Sequence, residues 1–278
     1  MPSFTSNSLS NEDLSLTHKT RLGRAIAPVS AEHPGLCGLL PLDDSLDAFA
    51  CRYRLAEMAE KTLDVQYYIW EDDMSGRLLF SVLLSAAMRG VRVRLLLDDN
   101  NTQGLDAILR LLDSHQNIDV RLFNPFSFRT LRALGYLTDF ARLNRRMHNK
   151  SFTVDGEVTL IGGRNVGDAY FGAGDAPLFS DLDVMAVGPV VTDVADDFER
   201  YWSSVCVSTL KQVLELSEAE IEARIQPPDE WYQSEITQRY LNKLESSQFI
   251  TQLEARDLPL IWAKTRLLSD DPRKGLGR

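Results

Sequence analysis

The sequence predicts an α/β fold, with a mixed, largely parallel sheet that is flanked by helices. The prediction rests on an alternation along the chain. Short apolar runs alternate with segments in which apolar residues recur at helical spacing, as they do in βαβ units. The chain has 278 residues, of which 44% are hydrophobic and 25% charged. This composition is that of a globular protein, and the length allows a large core.

Helix and strand signals can be placed along most of the chain. Asp43 or Asp44 would cap a first helix, and Gly90 would end a second. The predicted helices cover 44–59, 75–88, about 104–114, 208–225 and 229–247, and the predicted strands cover 65–70, 91–99, 118–123, 147–154, 158–161 and 260–268.

Composition excludes some classes of protein and disfavours others. The formal net charge of −10 argues against a general nucleic-acid binder, which usually carries a basic surface. No run of 18 or more apolar residues occurs, so we expect no transmembrane helix in the chain. Cys37, Cys51 and Cys206 form no CxxC pair, and we expect reduced thiols in a cytosolic protein.

A basic stretch precedes the most informative part of the sequence. Between Arg129 and Arg146 there are five arginines and one acidic residue, and leucines recur at helical spacing. The stretch predicts either a surface helix with a solvated basic face or a face that meets anionic lipid headgroups or another polyanion.

The segment from 147 to 161 is predicted to form a hairpin, with Asp155 and Gly156 in a two-residue turn. Side chains alternate along a strand, so His148 and Lys150 would lie on the same face. An imidazole and an ammonium side by side on a rigid element are suited to meet one phosphate group.

Two glycines and an asparagine follow the hairpin. Gly162 and Gly163 would let the backbone turn sharply and approach a ligand closely. The amide of Asn165 could donate a hydrogen bond to a phosphoryl oxygen. The whole segment therefore indicates chemistry on a phosphate.

The spacing of His148, Lys150, Asp155 and the run Gly162-Gly163-Arg164-Asn165 resembles the HKD motif of the phospholipase D superfamily. The wider context resembles one branch of it, the bacterial cardiolipin synthases of the type called C, over roughly residues 22 to 275. The resemblance is carried by LDVQYYIWEDDMSGRLL, AAMRGVRVRLLLDDNNT, RRMHNKSFTVDGEVTLIGGRNVGDAYFGAG and FSDLDVMAVGPVV. Many members have Gly-Ser where this chain has Gly162-Gly163, so one hydroxyl contact to phosphate is missing here.

The resemblance implies a phospholipase D-like α-β-α sandwich and a role for each residue of the motif. His148 would attack phosphorus and form a phosphohistidine, while Lys150 and Asn165, with Gly163, would bind the phosphate. Asp155 belongs to the catalytic motif, although holding the loop, orienting a histidine and a plain turn role all remain open for it. No metal and no cofactor are implied.

For a cardiolipin synthase of this kind, one phospholipid would donate a phosphatidyl group and phosphatidylglycerol would accept it. The donor would be phosphatidylglycerol or phosphatidylethanolamine. Water as acceptor would instead give a phospholipase D. We therefore expect phospholipid substrates and a peripheral position on the cytoplasmic face of the inner membrane.

The motif occurs once, whereas the superfamily's chemistry uses two facing histidines. His18, His33 and His115 lack the spacing to a lysine and the glycines that accompany His148. Either the chain is the first half of a double-motif enzyme, which is the interpretation we favour, or two copies pair by twofold symmetry.

Composition, the predicted elements and the resemblance together divide the chain into four expected parts. They are a flexible tail at 1–21, a catalytic domain at 22–207, a helical connector at 208–258, and the start of a missing second repeat at 259–278.

Other carboxylates are weaker candidates. Asp181 and Asp183 precede a strand and would orient His148 or Lys150, or lie exposed. Asp98-Asp99 and the stretch 71–73 follow strands, where α/β sheets place ligands, but these residues could equally cap a helix or close a turn.

The sequence therefore leaves three hypotheses for the function. They are a phosphatidyltransferase that makes cardiolipin, a homodimeric phosphodiesterase or nuclease, and an inactive partner-binding remnant.

Overall fold

The computed structural model describes residues 18–126, 144–172, 181–214 and 229–276. Within these residues, nine strands form one mixed sheet with helices on both faces, which confirms the α/β class. The strands are β1 (Cys37–Leu42), β2 (Thr62–Tyr67), β3 (Arg92–Asp98), β4 (Ile118–Phe123), β5 (Ser151–Val154), β6 (Val158–Gly162), β7 (Asp183–Val187), β8 (Val207–Thr209) and β9 (Ile261–Ala263).

The helices connect these strands or pack beside them. They are α1 (Arg21–Ala31), α2 (Ser45–Met58), α3 (Met74–Met88), α4 (Asp106–Asp113), α5 (Asp168–Phe171), α6 (Pro189–Trp202), α7 (Leu210–Val213), α8 (Glu235–Ser246) and α9 (Phe249–Ala255). Short 3₁₀ turns cover Asp99–Asn101, Asp229–Gln233 and Pro272–Leu276. The Asp44 carboxylate caps α2, and α3 ends before Gly90, whose φ is +97°, as the sequence predicts.

The strand order is β8-β4-β3-β2-β5-β6-β7-β1-β9. Only β2–β3 and β3–β4 pair in parallel, and the other six pairings among the described strands are antiparallel. The expectation of a largely parallel sheet was therefore wrong. After β4 the chain builds β5, β6 and β7 as antiparallel neighbours instead of adding further βαβ crossovers.

The core has two principal layers because alternate residues of a strand face opposite sides of the sheet. On one side, Leu95 and Leu97 of β3 join a large apolar cluster with residues of α1 to α4. On the other, Leu96 packs with Phe198 and Trp202 of α6.

Two predicted strands are shorter than expected. Strand β5 begins at Ser151, so His148 and Lys150 lie in the irregular segment before it. The last pair of residues in the ladder between β2 and β5 is Gln66 with Ser151. Before this pair, the Met147 N–H donates to the Asp98 carboxylate and not to a carbonyl of a neighbouring strand. Strand β9 stops at Ala263 because its partner β1 begins at Cys37, which pairs with Ala263.

The hairpin turn also differs from the prediction. Three residues, 155–157, separate β5 from β6, where two were expected. Asp155 and Gly156 both have positive φ, 52° and 64°. Asp155 is fully buried, and its carboxylate accepts backbone N–H bonds from Glu60, Lys61 and Thr62 at 2.7 to 3.2 Å. It ties the hairpin to the start of β2.

Elements on both sides of the predicted boundaries at 208 and 259 pack together, and the division of the chain into four parts stays a prediction. Tyr240 of α8 is buried, with its ring 4.4 Å from that of Phe49 in α2. Strand β9 extends the same sheet through β1. Whether 259–278 also begins a second repeat stays a prediction.

Parts of three expectations lie outside the described residues. They are the tail before residue 18, the basic helix over 127–143, and the helix expected at 208–225 beyond Leu214. Arg146 is described, and it is buried beside Asp98 instead of lying on a solvated basic face. None of the helices in the described ranges is long and apolar enough to cross a membrane.

We predict that Asp155→Ala lowers the free energy of unfolding by about 3 kcal/mol, because buried N–H groups lose a charged acceptor. Asp155→Asn should lose less, since asparagine tolerates positive φ and retains a carbonyl acceptor. Urea unfolding measures both variants. Equal midpoints for Asp155→Ala and the parent chain would contradict the assigned role.

Candidate active site

The residues of the HKD motif other than Asp155 converge at one edge of the sheet. Strands β2, β3 and β4 are parallel and end at this edge, whereas β5 is antiparallel to β2 and begins there. Strand β6 ends beside the start of β7, where Gly162 pairs with Asp183. His148, Lys150, Asn165 and Asp183 are therefore all carried to the same edge by strand ends.

His148 is exposed, and its ring lies against an aromatic neighbour. The centroids of His148 and Tyr68 are 4.2 Å apart, with an interplanar angle of 38°. Lys150 Nζ donates to the His148 carbonyl oxygen at 2.8 Å and lies 5.6 Å from the Tyr68 ring centroid. One tyrosine thus contacts both groups expected to meet phosphate.

The electrostatics of the site favour the neutral form of the histidine. Partial burial of the ring lowers the pKa of His148 below its ordinary value, and the Lys150 ammonium lowers it further. Burial also lowers the pKa of Lys150, while Asp181 and Asp183 oppose this shift by favouring the ammonium. An imidazole with a free lone pair beside a cation is the arrangement that nucleophilic attack on a phosphodiester requires.

Asn165 and Gly163 already form hydrogen bonds within the protein, which the sequence does not suggest. The Oδ1 atom of Asn165 accepts the Ile69 N–H at 3.1 Å, and the side chain also hydrogen-bonds Tyr170. The Gly163 N–H donates to the Leu182 carbonyl at 3.1 Å, so this amide is not directed at a ligand.

Carboxylates fill the space beside both glycines and leave no room for a Cβ atom. A Cβ at Gly162 would lie 2.1 Å from Asp183 Oδ1, and one at Gly163 would lie 2.5 Å from Asp181 Oδ1. Neither glycine is in the positive-φ region. A serine at Gly163 would meet Asp181 unless that side chain moved.

Asp183 is a buried carboxylate that joins two parts of the site. It is fully buried and accepts Arg52 Nη2 at 2.7 Å and the Arg164 N–H at 3.2 Å. Arg52 also donates to the Tyr67 hydroxyl at 2.7 Å. Asp183 therefore holds the backbone before Asn165 and adds negative charge near Lys150. It is buried and not exposed, and a role in orienting His148 or Lys150 stays a prediction.

Asp155 does not reach this edge. It follows β5, whereas His148 precedes it, and the four residues of the strand alone span roughly 13 Å. Placing Asp155 among the catalytic residues was therefore wrong for this arrangement, because its carboxylate is bonded to the start of β2.

The other two acidic strand ends have structural partners. Asp73 caps α3 by accepting the Gly76 N–H at 3.0 Å. Asp98 accepts the N–H of Met147 and bonds Arg146, next to the histidine. Burial raises the pKa of Asp98 to about 6, although Arg146 lowers it.

A cavity of about 640 Å³ adjoins His148 and Lys150. One part of its wall is polar and includes Gln66, Asn149 and Asp197. The remainder is largely apolar, formed by Ile161, Leu182, Val184, Val194, Leu267 and Leu268. Leu182 and Leu268 are 54% and 81% exposed, so apolar side chains lie at the mouth of the cavity.

Sequence reasoning missed Tyr68, Arg52 and the contribution of residues 267–270. Arg52 was detectable, because it shares a helical face with Phe49 and Ala56, and a cation there needs a buried partner. Residues 267–270 gave no signal, since Asn149, Asp197 and Ser269 meet only through the tertiary fold.

We predict that Asp183→Asn lowers the free energy of unfolding by about 3–5 kcal/mol, because it leaves buried Arg52 without its counterion. Asp47→Asn removes an exposed ion pair with Lys243 and should cost less than about 1 kcal/mol. Urea unfolding of both variants tests the difference, and equal losses would contradict a buried anchoring pair.

We predict that His148 titrates below pH 6.5, and that Lys150→Met raises its pKa by removing a nearby cation. Lys61→Met, at the opposite edge, should leave it unchanged. Any reaction that needs neutral His148 should then fall as pH decreases through this lowered pKa. NMR titration of the four histidines measures the shift, and a His148 pKa above 6.5 would contradict the account.

Comparison with known proteins agrees with this geometry. Residues 53–202 match the family model described as cardiolipin synthase, PLD-like domain. Cardiolipin synthase C of Escherichia coli K12 is 73% identical over 258 residues, covering 93% of this chain and 54% of that protein. Cardiolipin synthase A of Pseudomonas syringae is 34% identical over 158 residues, covering 56% of this chain and 31% of that protein.

A solved structure shares the fold. Phosphatidylserine synthase of Haemophilus influenzae aligns with a TM-score of 0.50 at 13% identity, over 80% of this chain and 47% of that one. The chain spans about half the length of the first two curated relatives it matches. Since the family model covers more than half of the chain and includes the motif, the chain belongs to the family of PLD-like domains of cardiolipin synthases.

Proposed function

We propose that this chain provides the nucleophilic half of a phosphatidyltransferase site that makes cardiolipin. The observation that carries the proposal is the pairing of His148 and Lys150 beside a cavity with an apolar wall. The Lys150 ammonium and the His148 imidazole suit a phosphodiester, and the apolar wall suits the acyl chains of a phospholipid.

The first step forms a bond from a ring nitrogen of His148 to the phosphorus of a donor phospholipid. The bond from phosphorus to the headgroup oxygen breaks, and glycerol or ethanolamine leaves with a proton from a general acid. In the second step a hydroxyl of phosphatidylglycerol attacks phosphorus, the P–N bond breaks, and its proton passes to the same group acting as base. Lys150 stabilises the charge that develops on the phosphoryl oxygens.

The general acid is a second histidine from outside these 278 residues. All four histidines of the sequence lie in described ranges, and the other three have distant environments. His18 pairs with Glu157, His33 stacks on Trp262, and His115 Nδ1 accepts the Asn117 N–H. Either another copy of the chain or the other half of a longer protein would supply it.

A nuclease is the weaker alternative. It would need a basic groove, whereas the described wall of the cavity carries Asp197 and Asp270 beside the single lysine. The exposed leucines at the cavity mouth instead favour a lipid substrate. We further propose that the protein acts as a peripheral protein at the cytoplasmic face of the inner membrane.

The test incubates the chain with vesicles of phosphatidylglycerol and phosphatidylethanolamine, and detects cardiolipin by mass spectrometry while light scattering gives the mass of the protein. His148→Ala should abolish product, and His115→Ala, far from the site, should not. Product from a dimer identifies two copies as the source of both histidines. If the folded chain makes no product, the reaction requires the other half of a longer protein. Cardiolipin made by His148→Ala would overturn the proposal.

A further inference from the structure

The segment that follows β9 alternates between exposed and half-buried side chains. Lys264, Arg266 and Leu268 are exposed, whereas Thr265 and Leu267 between them are half-buried. Leu267 packs against an apolar cluster formed by residues of β1, β7 and α6. A period of two is that of an extended chain, in which alternate side chains point to opposite sides. Lys264, Arg266 and Leu268 therefore face away from the core together, and we call these three residues the outer row.

The end of this segment is fixed to the rest of the fold by hydrogen bonds. The Ser269 hydroxyl donates to Asp197 of α6 at 2.8 Å, and the Asn149 amide donates to the Ser269 oxygen at 3.1 Å. The Tyr201 hydroxyl donates to the Asp270 carbonyl at 3.2 Å. An anchored segment therefore presents the outer row.

The charges around the outer row leave its two cations without carboxylate partners. Asp270 is paired with Lys274, and Asp271 is paired with Arg273 at 2.6 Å, so the acidic residues that follow the row have partners of their own. Over the ranges that the structure describes, neither cation of the outer row has an ion pair or a side-chain hydrogen bond. The row is thus positively charged, although the formal charge of the protein is −10.

Leu268 brings the outer row to the mouth of the cavity beside His148. It lines this cavity together with Leu182, and the two leucines are 81% and 54% exposed. The carboxylate of Asp181, next to Leu182, is directed toward Gly163, where a Cβ would lie 2.5 Å from its Oδ1. Two exposed leucines therefore border the opening, and the carboxylate beside one of them is turned into the site.

We propose that the outer row and Leu182 form the surface by which the protein docks on an anionic bilayer. The leucines enter the boundary between headgroups and acyl chains, and the two cations bind lipid phosphates. A bilayer satisfies both kinds of side chain at once, whereas a protein partner would have to supply buried counterions for both cations. In this position the cavity opens toward the lipid. The inference rests on the proposed function, which makes a phospholipid the substrate.

The test is binding of the purified chain to extruded vesicles, measured by sedimentation. The parent chain should bind phosphatidylglycerol vesicles more tightly than phosphatidylcholine vesicles, and added salt should weaken this binding. Leu268→Gln should weaken it about tenfold, because the side chain no longer gains from apolar burial. Met88→Gln is the matched control and should change nothing, since Met88 is 73% exposed at the end of α3, at the opposite edge of the sheet.

A double variant, Lys264→Gln with Arg266→Gln, tests the electrostatic part of the docking. Each cation near an anionic bilayer strengthens binding about fivefold, so the double variant should bind about 25-fold more weakly. Its preference for phosphatidylglycerol over phosphatidylcholine should shrink accordingly. The control is Lys19→Gln with Lys61→Gln, which has the same net charge but removes two cations at the opposite edge. This control should bind like the parent chain.

Three results would contradict the docking surface. The first is a parent chain that stays in the supernatant with phosphatidylglycerol vesicles. The second is binding of the Leu268→Gln chain and of the double variant at the strength of the parent chain. The third concerns a second copy as the occupant: light scattering would show a parent dimer that the outer-row variants dissociate, while their binding to vesicles is unchanged.

Vesicle binding is measured without turnover, so the docking surface and the proposed function can fail separately. Docking through the outer row without any cardiolipin, even with the other half present, would contradict the proposed function alone. Cardiolipin made by a chain whose outer-row variants bind vesicles normally would contradict the docking surface alone.

Discussion

The buried ion pair between Arg52 and Asp183 is the interaction on which the site depends most. It joins helix α2 to the start of β7, with a distance of 2.7 Å and both side chains excluded from solvent. Asp183 also binds the Arg164 N–H, and its carboxylate occupies the space that a side chain at Gly162 would need. The backbone that leads to Asn165 can take this course only while Asp183 stays where Arg52 holds it.

A common device explains how the strand ends are organised. Where a strand stops, its backbone N–H groups lose their ladder partners and need other acceptors. Buried carboxylates supply them at three places: Asp155 for the start of β2, Asp183 for the loop after β6, and Asp98 for the segment before β5. The acidic residues near the motif therefore shape the backbone, and the proposed chemistry is assigned to His148 and Lys150.

Much of this arrangement could be predicted from the sequence. The features that could not be predicted depend on contacts between residues that are distant in the chain. The periodicity of 46–58 and 75–88 revealed α2 and α3, and the motif spacing indicated His148 and Lys150. Periodicity cannot show strand direction, so the antiparallel pairing of β5 with β2 was missed. The role of Asp155 was ambiguous because its partners, residues 60–62, are distant in sequence. Tyr68 was hidden for the same reason, since it meets His148 only in the fold.

We propose that His148 becomes covalently bonded to phosphorus during lipid turnover. It can be tested by incubating the chain, with its other half where that is required, with phosphatidylglycerol vesicles, quenching in alkali, and analysing the peptides by mass spectrometry. The account predicts a phosphoryl-containing adduct on the peptide that carries His148, labile to acid as expected for a P–N bond. An adduct on another residue of this chain, or cardiolipin formed without any adduct on His148, would contradict it.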